Sequence, residues 1–158
     1  MKSLNDAFVH TLQDILYAEH AIAKALPNVI GAVTNPGLKR ALQDHLGETK
    51  DHAKLLQRAM KSVGAQAKGV KCEAIEGLIK ECEDVIEVAD GAVARHAAII
   101  GCCQAIEHYE IARYGTLKEW ARALGADEAQ IHISTILDQE KATNSKLTAI
   151  AVDTVNKA

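Results

Sequence analysis

Apolar residues recur along this chain at alternating spacings of three and four, the period of a helix with one buried face. The first stripe joins Phe8, Leu12, Ile15, Glu19, Ile22, Leu26, Val29 and Val33. A second joins Leu38, Leu42, His45, Thr49, His52, Leu56, Ala59 and Val63. A third runs through Ile100, Cys103, Glu107, Glu110, Tyr114, Leu117, Ala121 and Leu124. A fourth holds Ile133, Ile136, Glu140, Thr143, Leu147, Ile150 and Thr154. The pattern predicts four long helices, over about residues 4–30, 37–62, 92–123 and 128–155. A shorter helix, about 72–89, turns Ile75, Leu78, Ile79, Cys82, Val85 and Ile86 inward.

The breaks between stripes fix the connections. Ser3 and Asn5 are both suitable N-caps for the first helix. Pro27 is expected to kink that helix or mark a frayed end, and Asn35-Pro36-Gly37 turns the chain into the second. Gly125-Ala126-Asp127 is a tight connection, with Asp127 the expected N-cap of the last helix. Two short connections imply two antiparallel helix pairs. The long stretch from Gly64 to Gly91 joins the pairs. We read residues 1–158 as one all-α domain: a ferritin-like four-helix bundle with a long crossover carrying a short extra helix.

Composition narrows the function classes. The net charge of −3 gives no general attraction to nucleic acid or anionic membranes. Aromatic residues make up 3% of the chain, too few for base-stacking platforms. No apolar run approaches a membrane span and no signal peptide opens the chain, so the expected location is the cytoplasm. Cys72, Cys82, Cys102 and Cys103 include no C-x-x-C pair, which argues against a structural zinc site. Reduced, buried thiols are expected instead.

The stripes are interrupted where they should be most apolar. Glu19, Glu107, Glu110 and Glu140 lie near the middle of their helices' buried faces, and Glu48 flanks the face carrying His45 and His52. A single such carboxylate commonly sits at the edge of its stripe with its head in water. The coincidence of all the midpoints is what points to a shared site. Antiparallel neighbours in a bundle place their midpoints at one height, so these groups converge in one core layer. Buried negative charges so close together require positive charge among them. Two cations aided by histidine meet that need, and carboxylate oxygens with imidazole suit iron or manganese. The candidate metal ligands are Glu19, His45, Glu48, Glu107, Glu110 and Glu140, with Glu110 and Glu140 the candidates for bridging or redox-linked ligation. The roles of His52, Glu76 and Asn144 stay open at this level.

Several segments resemble the YciF/YciE-type ferritin-like stress proteins. They are Asp14-Ile15-Leu16-Tyr17-Ala18-Glu19, His45-Leu46-Gly47-Glu48-Thr49, Cys72-Glu73-Ala74-Ile75-Glu76-Gly77-Leu78-Ile79 and Glu107-His108-Tyr109-Glu110-Ile111-Ala112. The likeness spans nearly the whole chain, and Glu-His-Tyr-Glu is its most specific piece. It implies a rubrerythrin-like bundle, a homodimer and a dinuclear metal centre. The chain departs from the usual Glu-x-x-His pattern: Asp51 follows Glu48 by three, and Thr143 follows Glu140 by three. It also lacks the cysteine cluster that serves rubrerythrin as internal electron donor.

Three functions are consistent with these features. The leading one is oxidoreductase chemistry with peroxide or dioxygen at two iron or manganese ions, with an outside electron donor. The second is iron binding as a ferroxidase or store. The third is a non-catalytic stress bundle whose metal is structural.

Overall fold

The computed structural model describes residues 1–157. It has five α-helices and no strand among those residues: α1 (Leu4–Gly31), α2 (Pro36–Ser62), α3 (Glu73–Val88), α4 (Ala92–Ala123) and α5 (Asp127–Asp153). Val155–Lys157 add a 3-10 turn where the sequence reading carries the last helix on to about residue 155.

Local chemistry accounts for most helix ends. Ser3 is the N-cap of α1: its hydroxyl accepts from the Asp6 amide, and the Asp6 carboxylate accepts from the Ser3 amide in return. Asn35 caps α2 in the same sense through the Leu38 amide, and Pro36 occupies the first turn. The last helix differs from expectation. Asp127 is already helical, Ala126 holds the cap position, and no side chain caps that end. Gly125, with φ of 66°, makes the left-handed turn that lets α5 fold straight back along α4. Pro27 does not end α1, which continues to Gly31.

The helices pack in a ring, α1 beside α2, α2 beside α5, α5 beside α4, and α4 beside α1. Pairing across the ring shows each neighbour to be antiparallel. His52 meets Gln139 and Asp44 meets Lys146 between α2 and α5. Thr34, just past α1, meets His96 in the first turns of α4, whereas Tyr114 further along α4 meets Glu19. The diagonal helices α2 and α4 therefore run parallel. The chain must climb the full height of the bundle between them, and α3 makes that climb against α1 and α4. This is the ferritin-like connection.

Gly69 shows how closely the crossover hugs α1. A Cβ there would lie 3.1 Å from Tyr17 Cβ and 3.2 Å from its backbone. The next residue donates its amide to the Gln13 carbonyl at 3.1 Å. The apolar stripes of all four long helices, with Ile75 and Cys82 of α3, merge in one core. At the outer ends the stripes fade, with Val63 half-buried and Leu124 exposed. No helix among the described residues is long and apolar enough to cross a membrane.

Candidate metal centre

The core is apolar at both ends and polar in the middle. Glu19 from α1, His45 and His52 from α2, Glu107 and Glu110 from α4, and Glu140 from α5 are all buried. Each sits on its helix's inward stripe, so helical period alone carries it into the interior. Antiparallel packing then brings the six to one level.

Their polar atoms form two groups. Atoms of His45, Glu107, Glu110 and Glu140 lie within 4.8 Å of one another, and so do atoms of Glu19, His52 and Glu140. Glu140 belongs to both. His45 Nε2 is 3.2 Å from Glu107 Oε1, while its other nitrogen faces Glu48 Oε2 at 3.9 Å. His52 Nδ1 is 2.9 Å from Glu140 Oε1 and 3.5 Å from Glu19 Oε1.

These contacts leave the groups short of partners. Among the described residues, nine buried side-chain nitrogen or oxygen atoms have no hydrogen-bond partner, and all but Arg95 Nε belong to the same six residues. Both Glu110 oxygens and both Glu140 oxygens are among them. Even the close His52–Glu140 pair is not aligned as a hydrogen bond. Buried polar atoms are almost always satisfied, and an orphaned set in one place calls for a binding partner. Lone pairs of carboxylate and imidazole converging in a buried layer of the core could hold a metal ion.

Charge tells the same story. Burial, then repulsion from Glu140, pushes the Glu107 carboxyl up to about 10. Burial and the neighbouring carboxylates drive Glu110 well above the usual range, and burial also raises Glu19. Burial pulls the His52 imidazole down, but Glu140 and Glu19 outweigh it and raise His52 to about 10. Burial acts upward on Glu140, yet His52 more than offsets it and holds Glu140 below its ordinary value. Without metal, then, protons on His52, Glu107 and Glu110 supply the neutralisation. A metal ion could take their place when those protons leave.

A surrounding shell orients the ligands. Tyr114, wholly buried, donates its hydroxyl to Glu19 Oε1. Gln139 Oε1 lies 2.9 Å from His52 Nε2. With that oxygen accepting from Nε2–H, Nδ1 keeps its lone pair for the centre. Glu48 stands at the rim rather than inside. Its side chain is 42% exposed, and its Oε2 accepts from Thr143 Oγ1 at 3.3 Å and faces the His45 ring. Of the six candidate ligands read from the sequence, five meet in the two groups, and Glu48 touches them through His45. His52, whose role was open, completes the second group. Gln139 carries no signal of its own in the sequence, because it lies off the stripe. Asn144 is turned away, bonded to Gln104 at 3.1 Å. Glu76 accepts from Tyr17 at 2.5 Å and fastens the crossover to α1.

Comparison with known proteins agrees with this architecture. The chain is 40% identical over 158 residues to Protein YciF of Escherichia coli, covering 99% of this chain and 95% of that one. The crystal structure of the E. coli stress protein YciF superposes with a TM-score of 0.96, each chain covered in full. YcfI from Rhodopseudomonas palustris is 46% identical, with a TM-score of 0.90 over 95% of this chain and 96% of that one. A Xanthomonas campestris protein, 22% identical with a TM-score of 0.79 over 98% and 95% of the two chains, shares the fold. Residues 3–158 match the family described as a domain of unknown function, DUF892, and the chain belongs to that family, as a relative of the stress protein YciF.

Proposed function

We propose that this chain is a stress-associated protein with a dinuclear iron or manganese centre that reacts with peroxide or dioxygen. The observation that carries the reading is the set of orphaned ligand atoms on six buried residues, arranged as two groups sharing Glu140. The stress association follows the description of the E. coli relative. When bound, a pair of iron or manganese ions supplies electrons toward an oxidant, and anionic ligands favour its higher oxidation states.

The chain's own residues do the rest. His45, Glu107, Glu110 and Glu140 would hold one ion and Glu19, His52 and Glu140 the other. Tyr114 holds a proton at Glu19 Oε1 and gives the site a hydroxyl that donates without adding charge. The apolar ends of the stripes exclude water and shield reactive species from side reactions. No flavin or nicotinamide motif is present in the sequence, so electrons come from a partner protein, a small reductant or the peroxide itself. Glu110 and Glu140 are the residues whose loss should slow the chemistry most. Two copies associate as a twofold dimer, the commonest small assembly.

The test is metal analysis of protein purified without chelator. About two ions per chain are expected, the content of a dinuclear carboxylate site. Glu107→Ala should lower that content sharply. Equal metal in wild type and a Glu19→Ala, Glu107→Ala double variant would sink the reading. A second reading, a metal that only stiffens the bundle, is favoured by the description of the Rhodopseudomonas relative as a candidate structural protein. Stopped-flow oxidation of the reduced, iron-loaded protein separates the two, because a purely structural ion gives no oxidant-dependent absorption change.

A further inference from the structure

A pocket enters the bundle between α1, α3 and α4, away from the ligands themselves. Its inner wall is formed by Ile22, Leu26, Val29, Cys82, Cys103 and Ile106, and its volume is about 20 Å³. The lining is almost wholly apolar. Burial pushes the Cys82 thiol up to about 12 and the Cys103 thiol well above its ordinary value, so both face the pocket uncharged. An apolar pocket this small favours apolar guests over water.

Both ends of the pocket matter. Outward, it shares Ala25, Asn28, Ile79 and Glu83 with a wider cleft of about 360 Å³ in the groove between α1 and α3. Lys24, Lys80 and Glu76 stand around that cleft, so its mouth is wetted. Inward, Ile22 is the next member of the α1 stripe after Glu19, and Cys103 is the member of the α4 stripe just before Glu107. At a rise of about 1.5 Å per residue, those steps are about 4.5 Å and about 6 Å along the helix axes. The inner wall therefore lies about one helical turn from the ligands of both groups.

We propose that this pocket is a binding site for dioxygen and the path by which it reaches the metal centre from the α1–α3 groove; the inference rests on the reading of that centre given above. Size, apolar lining and position select the same guest. A diatomic apolar molecule gives up nothing by leaving water for such a wall. Hydrogen peroxide would abandon its hydrogen bonds with almost no replacement on offer. Ala25 and Ile79, small and medium apolar residues common to pocket and cleft, form the neck.

Xenon tests the pocket without metal, since it reports dry apolar cavities. Crystals of the metal-free full chain under xenon pressure should show it beside Ile22 and Cys103. Ala25→Phe should abolish that site, and Ile79→Ala should raise its occupancy. In the iron-loaded protein, Ala25→Phe should slow oxidation by dioxygen about tenfold, as about 1.4 kcal/mol added to the entry barrier would. Its metal content, and its rate with peroxide, should stay as in wild type. Absence of xenon from the wild-type pocket overturns the site. An unchanged dioxygen rate in Ala25→Phe, or an equal loss with peroxide, overturns the path. If the protein holds no metal, the reading of the centre fails by itself and the path with it, while xenon still decides the pocket.

Discussion

At the scale of single residues, the buried centre separates atoms that could meet a metal ion from atoms that would aim them. Glu48 and Gln139 make the sharpest case, because each touches the far side of a histidine. Outer partners of metal-bound histidine typically contribute about 10–100-fold in metal affinity. Gln139→Leu, at an exposed position of α5, is therefore expected to weaken metal binding by about that factor while leaving the helical circular dichroism unchanged. Titration of the metal-free variant with manganese or ferrous ion measures it, and wild-type affinity would remove Gln139 from the site. Glu48→Gln keeps an oxygen for Thr143 and a polar partner for His45, so the variant should retain both ions. Loss of one ion per chain would make Glu48 a direct ligand, as the sequence pattern suggests. That pattern made Glu19, Glu107, Glu110 and Glu140 legible because a charge on an apolar stripe is conspicuous. It left His52 undecided because a histidine on a stripe is unremarkable until its neighbours are known. Gln139 and the hydroxyl of Tyr114 are defined by partners 87 and 95 residues away, which no local pattern contains.

At the scale of elements, helix and connection were legible for different reasons. The stripes of α1, α2, α4 and α5 read clearly because each runs along a helix of 27 residues or more. The crossover helix was legible too, read as about 72–89 and found at Glu73–Val88. Only Ile75 and Cys82 of α3 are buried, so its amphipathic pattern covers a partial face. What ties it down is tertiary: Gly69 against Tyr17, Val70 against Gln13, Glu76 against Tyr17. Gly69→Ala should strain the seam between crossover and α1, because the obstacle includes Tyr17 backbone and cannot rotate away. Overpacking of that sort costs about 1–3 kcal/mol. Gly77→Ala, in the exposed face of α3 with open space around it, should act the other way and stabilise by up to about 1 kcal/mol. At this chain length each kcal/mol moves the melting temperature by about 2–4 °C, which calorimetry resolves. Equal shifts of the same sign in both variants would mean that the crossover is not held at Gly69.

At the scale of the whole molecule, stability and metal loading are coupled through protons. Burial lowers His52 but Glu140 and Glu19 lift it from 6.5 to about 10, and burial followed by Glu140 lifts Glu107 from 4.5 to about 10. A group raised on folding holds its proton more tightly in the native state, so it contributes stability below its unfolded pKa and loses it as pH climbs to the folded value. His52 acts in that sense between about pH 6.5 and pH 10, and Glu107 between about pH 4.5 and pH 10. Glu140 acts oppositely, but its lowered pKa confines its effect to acid below the ordinary value of 4.5. The chelator-treated protein should therefore be most stable in mild acid and lose stability steadily toward alkaline pH. Metal reverses the slope, because binding requires the same protons to leave and so tightens as pH rises. Bound ligand stabilises by mass action, which makes the gain in melting temperature on loading larger at alkaline pH than at neutral. Thermal denaturation of metal-free and metal-loaded protein across this range tests both slopes together. A metal-free protein as stable at the alkaline end as in mild acid would mean that protons on His52 and Glu107 do not neutralise this layer of the core.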